Sequence, residues 1–324
     1  MKLKKPDIFL GITLGMLVLT AVLCIVILFV QKNNKTPTPV NTDTQISNQT
    51  DTGEVNPSGS QTVPSDTGTN IKPTNPVELK TINESGLKAA LDESLRGLTS
   101  EWQVMVTDPA KGSRITSAVN CSVDGWMTAN RFAQVFIMGA VFQQASEGTL
   151  TLDSVLDDVK AMINKNDLAA ADKLTEALGG GDAEKGREAV KDFAVDNGVK
   201  LGFNRTLSGA NSKKNYVTAQ QTAVLLDLIC RGELVSEAAS QQMLEILLTP
   251  NEELDIDPGL STEGAKYGFI TDIENDVCIC AMGVVQLPNR SFVISVVCNK
   301  PVTTNGAKAK VTELITLTEP FFAE

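Results

Sequence analysis

Hydrophobic positions along the chain change their spacing four times. Between Ser85 and Leu98, leucines at 87, 91, 95 and 98 mark one face of a helix. Trp102–Thr107 and Arg114–Val119 then read as strands, joined by a turn at Asp108-Pro109-Ala110-Lys111-Gly112. The stretch Met127–Phe142 is different. From Phe132 on it is apolar on nearly every side, which predicts a helix buried all round, with Thr128 as its N-cap and Ala129 and Asn130 opening the first turn. Helical spacing returns over Leu152–Ile163, Asp167–Leu178, Ala183–Asn197, Thr218–Arg231 and Ser236–Leu248. Strand patterns follow at Ala265–Thr271, Val277–Val285 and Ser291–Cys298, the last two linked by Gln286–Arg290, and a helix covers Gly306–Leu317. Strands at both ends with helices between predict an α/β (α+β) domain. Its single antiparallel sheet would be built from both ends of the domain, with a helical inserted subdomain.

Upstream, Ile8–Val30 is an uninterrupted uncharged apolar run, long enough to cross a bilayer as a helix. Lys2, Lys4 and Lys5 precede it, which places residues 1–7 in the cytoplasm and the remainder outside, although Lys32 and Lys35 reduce the asymmetry. A cleaved signal peptide is the competing reading, but the run exceeds a usual apolar core and no small-x-small cleavage site follows it. Cys24 has Leu23 where a lipoprotein site would need a small residue. The expected organisation is a transmembrane helix at 8–30, an unfolded extracytoplasmic linker at 31–78, rich in Thr, Asn, Pro, Ser, Gly and Asp, and a folded domain at 79–324.

Composition narrows the chemistry. A net charge of −11 and an isoelectric point near 4.7 argue against nucleic acid as a partner. The chain has no histidine, so a Ser-His-Asp triad, a Cys-His dyad and a His-bearing metal site are all excluded. No metal or organic cofactor is implied. Five cysteines lie beyond residue 30: Cys121, Cys230, Cys278, Cys280 and Cys298. Cys278 and Cys298 are symmetric about the Pro288 turn and could face each other across a hairpin, but buried free thiols are the favoured reading.

The order of these elements, with several short strings, resembles the class A serine β-lactamase and penicillin-recognising family, and is most similar to its membrane-anchored members. The resemblance runs from about Trp102 to Asn299. It implies a Ser-x-x-Lys motif opening the buried helix, where the serine attacks a carbonyl and the lysine helps take its proton. Here those positions fall on Arg131 and Gln134. The second motif, Ser-Asp-Asn, falls on Asn166-Asp167-Leu168, and the third, Lys-Thr-Gly, on Lys266-Tyr267-Gly268. Asn215–Ala219 and Arg231–Ser236 look like family scaffold, while Gly202–Lys214 holds no Glu or Asp where class A enzymes carry a deacylating base.

Register does not rescue the first motif, because Val123–Ala145 contains no Ser, Cys or Lys. A guanidinium stays protonated and cannot act as a base, so Thr128-x-x-Arg131 is no substitute. The one literal Ser-x-x-Lys, Ser85-Gly86-Leu87-Lys88, lies on an amphipathic helix before the first strand. Arg131 near a helix start needs a carboxylate; Asp167 is the first candidate and Asp124 the second, with partial solvation the alternative. Lys266, Gly268 and Arg131 are the candidate ligand-binding residues, two cations that could line one cleft and hold a carboxylate.

The leading expectation is therefore a catalytically inactive, membrane-anchored relative. It would bind a peptidoglycan fragment, a β-lactam-like ligand or a cell-envelope protein. One alternative is an active serine hydrolase with an unrecognised nucleophile, for which Ser208, or Ser212 beside Lys213, are the candidates. The other is a structural scaffold.

Overall fold

The computed structural model describes residues 80–209, 213–250 and 254–323, all within one compact unit from Thr74 to Glu324. The expectations for the cytoplasmic tail, the membrane helix and the linker lie outside the described residues. Among the described residues no helix is long and apolar enough to cross a membrane.

Helix α1 (Glu84–Leu95) opens where the Asn83 side chain accepts the Gly86 N–H at 2.9 Å. Its leucines 87, 91 and 95 are buried. The chain then pairs β1 (Glu101–Asp108) with β2 (Ser113–Val119). Helix α2 spans Ala133–Ser146 and is buried without a break from Ala133 to Phe142, as an all-round apolar sequence requires. Four helices follow before and within the return to the sheet: α3 (Leu156–Asn164), α4 (Leu168–Leu178), α5 (Ala183–Asp196) and α6 (Ala219–Cys230). Helix α7 (Glu237–Leu247) leads to β5 (Lys266–Glu274), β6 (Cys278–Gln286) and β7 (Ser291–Asn299), and α8 (Thr304–Thr318) closes the domain.

The sheet order β2-β1-β7-β6-β5 is antiparallel throughout and is built from both ends of the unit, as the strand pattern predicts. One face packs on α1 and α8, the other on α6 and the helical part, so β6 and β7 are buried at eight of nine positions each. That explains their unbroken apolar sequence in place of alternation.

One local expectation is corrected, and one alternative is excluded. Thr128 does not cap α2. It belongs to the short strand β3 (Met127–Thr128), which pairs with β4 (Tyr216–Val217), and its backbone is held on both sides by the Asn299 side chain at 2.8 Å. The helix instead enters through a 3-10 turn, Asn130–Phe132, with no side-chain cap from its own chain neighbours. The Cys278–Cys298 pairing also fails on register. Cys278 stands opposite Asn299 and Cys298 opposite Ile279, so the two thiols lie on opposite faces of the sheet. All five described cysteines are free thiols.

The turn between β6 and β7 supplies the tie that joins the two ends of the domain. Arg290, 6% exposed, makes an ion pair with the buried Asp108 of β1, donates to the Lys80 carbonyl at 2.7 Å, and lies 5.4 Å over the Phe322 ring. Removing one partner of a buried pair strands the other charge, which typically costs about 3–5 kcal/mol, whereas replacing both by apolar groups can be neutral. Arg290→Ala is therefore expected to lower the unfolding free energy by about 3–5 kcal/mol in a denaturant titration, and Arg290→Met with Asp108→Leu to recover most of it. Equal losses in both variants would show that the pair itself, not the stranded charge, carries the stability.

Candidate functional site

The site forms where the 3-10 turn Asn130–Phe132 meets the far end of β5. Sequence reading stops β5 at Thr271; the strand in fact continues through Asp272 and Glu274. Asp272 and Glu274 are two residues apart and so share one face of the strand. Asp272 is 3% exposed. Its Oδ2 accepts the Arg131 backbone N–H at 3.1 Å, and its Oδ1 lies 3.8 Å from Arg131 Nε. The carboxylate thus caps the start of the buried helix from another strand and neutralises the cation that the helix dipole disfavours there. Arg131 keeps a side-chain exposure of 28%, half in and half out of the protein.

Neighbouring groups close the network. Asn130 Nδ2 donates to Glu274 Oε2 at 2.7 Å and Lys214 Nζ to Glu274 Oε1 at 3.1 Å. The Asn215 N–H donates to Asn130 Oδ1 at 3.0 Å, and the fully buried Asn215 side chain accepts the Asn204 and Arg205 amides. The Cys278 thiol points at Asp272 Oδ2 at 3.6 Å.

One turn further along, Gln134 is 1% exposed and donates from Nε2 to Asn166 Oδ1 at 2.9 Å. Its Oε1 is buried without a hydrogen-bond partner among the described residues, a penalty of about 1–3 kcal/mol for such a group. Asn166 adopts φ 51°, a left-handed conformation that asparagine tolerates better than most residues. Two neutral amides thus stand where the family resemblance implies a lysine and a serine.

The expected Arg131–Asp167 pair does not form. Asp167 is the N-cap of α4, accepting the Ala169 and Ala170 amides at 2.9 and 3.1 Å, and Leu168 is the first residue of that helix. Asp124 is occupied by the Ser122 hydroxyl. Both carboxylates have local amide or hydroxyl donors, so neither is released to travel to Arg131.

Nor does the structure bring Lys266 to Arg131. Lys266 begins β5, six residues before Asp272, which at about 3.3 Å per residue separates them by roughly 20 Å. Lys266 and Tyr267 instead border a cavity of about 480 Å³ with Leu248, Thr249 and Pro250. Gly268 has a packing role: a Cβ there would stand 1.7 Å from the Leu247 carbonyl oxygen, so only glycine lets α7 end against β5.

Asp272, Glu274 and Lys214 were not singled out by sequence reading. A signal existed in the alternation of Ile270, Asp272 and Glu274, one strand face turning from apolar to acidic.

Burial pushes the Asp272 carboxyl above the usual carboxylate range, against the pull of the Arg131 amide and guanidinium and the Cys278 thiol; Glu274 adds to the rise. A raised carboxyl favours folding below its unfolded value of about 3.9, and that stability is lost as pH climbs through the folded value. The unfolding free energy of the native protein, measured against Asp272→Asn, should therefore fall as pH rises from about 4 toward neutrality. Arg131→Gln should deepen the fall. A difference that stays flat across that window would remove the buried-charge account.

A family model described as the β-lactamase enzyme family matches residues 154–317. Among solved structures, the β-lactamase from Sphaerobacter thermophilus is 17% identical, with 73% of this chain and 96% of that chain covered at a TM-score of 0.59. The TLA-1 extended-spectrum β-lactamase is 16% identical, with 74% and 99% covered at 0.64. A mutant of the class A β-lactamase of the last common ancestor of Gram-negative bacteria is 20% identical, with 73% and 98% covered at 0.61. No curated protein matches the chain. The structural likeness establishes the fold, and the family match, spanning half of the chain, establishes kinship: this chain belongs to the β-lactamase enzyme family.

Proposed function

We propose that the protein is a non-hydrolysing member of this family, a binding protein displayed outside the cell on the apolar segment at residues 8–30. The observation that carries the reading is the engagement of Arg131 by Asp272. A guanidinium and a buried carboxylate fill the place where the fold would hold its nucleophile. The backbone N–H at the helix start, the type of donor that would stabilise a developing oxyanion, is already spent on that carboxylate.

Several other candidate nucleophiles are engaged or buried. Ser85 lies on an exposed helix face, bonded to Asn83 at 3.1 Å, and Lys88 pairs with Asp92 at 2.5 Å, so this Ser-x-x-Lys is a surface feature. The Ser208 hydroxyl donates to Asp172, which also accepts the Leu207 and Ser208 amides. Ser212 lies outside the described residues. Burial pushes the Cys230 and Cys298 thiols up to about 12, and raises those of Cys121 and Cys280 as well, so none of these four supplies a thiolate near neutral pH.

The separation of Lys266 from Arg131 also removes the two-cation cleft as a binding site for a single carboxylate. Incubation with excess benzylpenicillin followed by intact-mass measurement should leave the protein unmodified. A stoichiometric adduct, mapped to one residue, would instead establish a nucleophile and return the protein to the hydrolases that share its fold.

A further inference from the structure

A second concavity, of about 370 Å³, lies between α5 and the loop that carries Lys214. One wall is a single face of α5: Glu184, Arg187, Glu188 and Lys191 recur at the three- and four-residue spacing that stacks side chains along a helix. The other wall is Asn204, Lys213, Lys214 and Tyr216 over the buried Phe203. We propose that this cavity binds an acidic saccharide, a pyranose carrying one phosphate or carboxylate, with its charge on the basic residues and its ring face on Tyr216. The inference supplies a ligand class for the binding role proposed above, but it would hold even if the penicillin test revealed a nucleophile.

Charge is the first reason. The lining carries Arg187, Lys191, Lys213 and Lys214 against Glu184 and Glu188, in a chain whose overall charge is −11. Lys214 shares its charge with Glu274 at 3.1 Å and Lys191 with Glu188 at 2.7 Å. Arg187 donates to the Ala183 carbonyl at 3.3 Å and makes no ion pair among the described residues. Its planar fork is suited to two oxygens of one anionic group.

The second reason is the mixture of groups around the cations. A bare anion site has no use for carboxylates, which repel it. A ring bearing hydroxyls does, because Glu184, Glu188 and the Asn204 side chain can accept from its O–H groups. Tyr216, 36% exposed, adds an aromatic face of the kind that takes the apolar side of a ring.

The third reason is that Asn204, Tyr216 and the Lys214 backbone in this wall are already fixed. Gly202 and Tyr216 exchange backbone hydrogen bonds at 2.8 and 2.9 Å, and Tyr216 pairs with Thr128 on its other side. Asn204 Nδ2 holds the Lys214 carbonyl at 2.9 Å, and its backbone N–H donates to Asn215 at 2.8 Å. A site that needs little ordering loses less on binding.

The test is calorimetric titration of the full-length protein at low salt with glucose 6-phosphate and with glucuronic acid, beside glucose and inorganic phosphate as the separate halves. At least one acidic sugar should bind saturably, about tenfold or more tighter than either half, and weaken as salt is raised. Arg187→Gln should weaken it roughly tenfold, the loss of one charge-assisted contact. Tyr216→Ala should bring the acidic sugar down to the level of phosphate, while Tyr216→Phe keeps the preference. Which acidic sugar binds separates phosphorylated from carboxylated ligands. Equal binding of phosphate and both sugars, unchanged affinity in Arg187→Gln, or no saturable heat from either acidic sugar would overturn the proposal. The penicillin experiment reads a different site, so the two results fail independently.

Discussion

A carboxylate taken out of water has to be answered, and the arrangement around the entrance of the central helix follows from answering Asp272. Its position on an inward strand face is costly alone. The helix-start amide and the Arg131 guanidinium together make it tolerable, and in return it provides the cap that the helix lacks and the counter-charge that Arg131 needs. Asn130, Glu274, Lys214 and Asn215 then satisfy one another around it. The interaction is reciprocal, though unequal: Asp272 is buried and depends on its partner, whereas Arg131 keeps a path to water.

That reciprocity constrains how the sequence can change. A serine at 131 would leave Asp272 buried beside a hydroxyl and without its cation. A lysine at 134 would enter a pocket presently shared by two neutral amides. A substitution at 272, which lies outside every motif position, would therefore ease the placing of a serine at 131.

The elements were legible wherever burial is simple. The all-round apolar run gave α2, leucine spacing gave α1, and the apolar strands β6 and β7 were visible because both of their faces are covered. The absence of Ser, Cys and Lys from Val123–Ala145 was also readable. What could not be read was partnership across long sequence separations. Asp272 looks like a strand terminator until Arg131, 141 positions earlier, is seen to hold it inside. Asp167 looks available until its own helix is seen to claim it. Lys266 matches a motif at two of its three positions but begins its strand, whereas the site lies at that strand's other end. Local pattern reports periodicity and turns; it carries no record of which charge meets which.

The tie at Arg290 has a mechanical meaning as well. Lys80, where the described chain begins, is held by Arg290 at the hairpin between β6 and β7. Asp272 and Glu274 stand by the opposite ends of these strands, beside Cys278 and Asn299, roughly 25 Å away along β6. Traction arriving along the preceding polypeptide would enter through Lys80 and be received by a buried ion pair in the sheet, at the pole of the domain remote from Arg131. Within the domain, the Lys80 tie stands at one pole and the polar network at the other, so a pull applied at Lys80 would be met first by the Arg290–Asp108 pair.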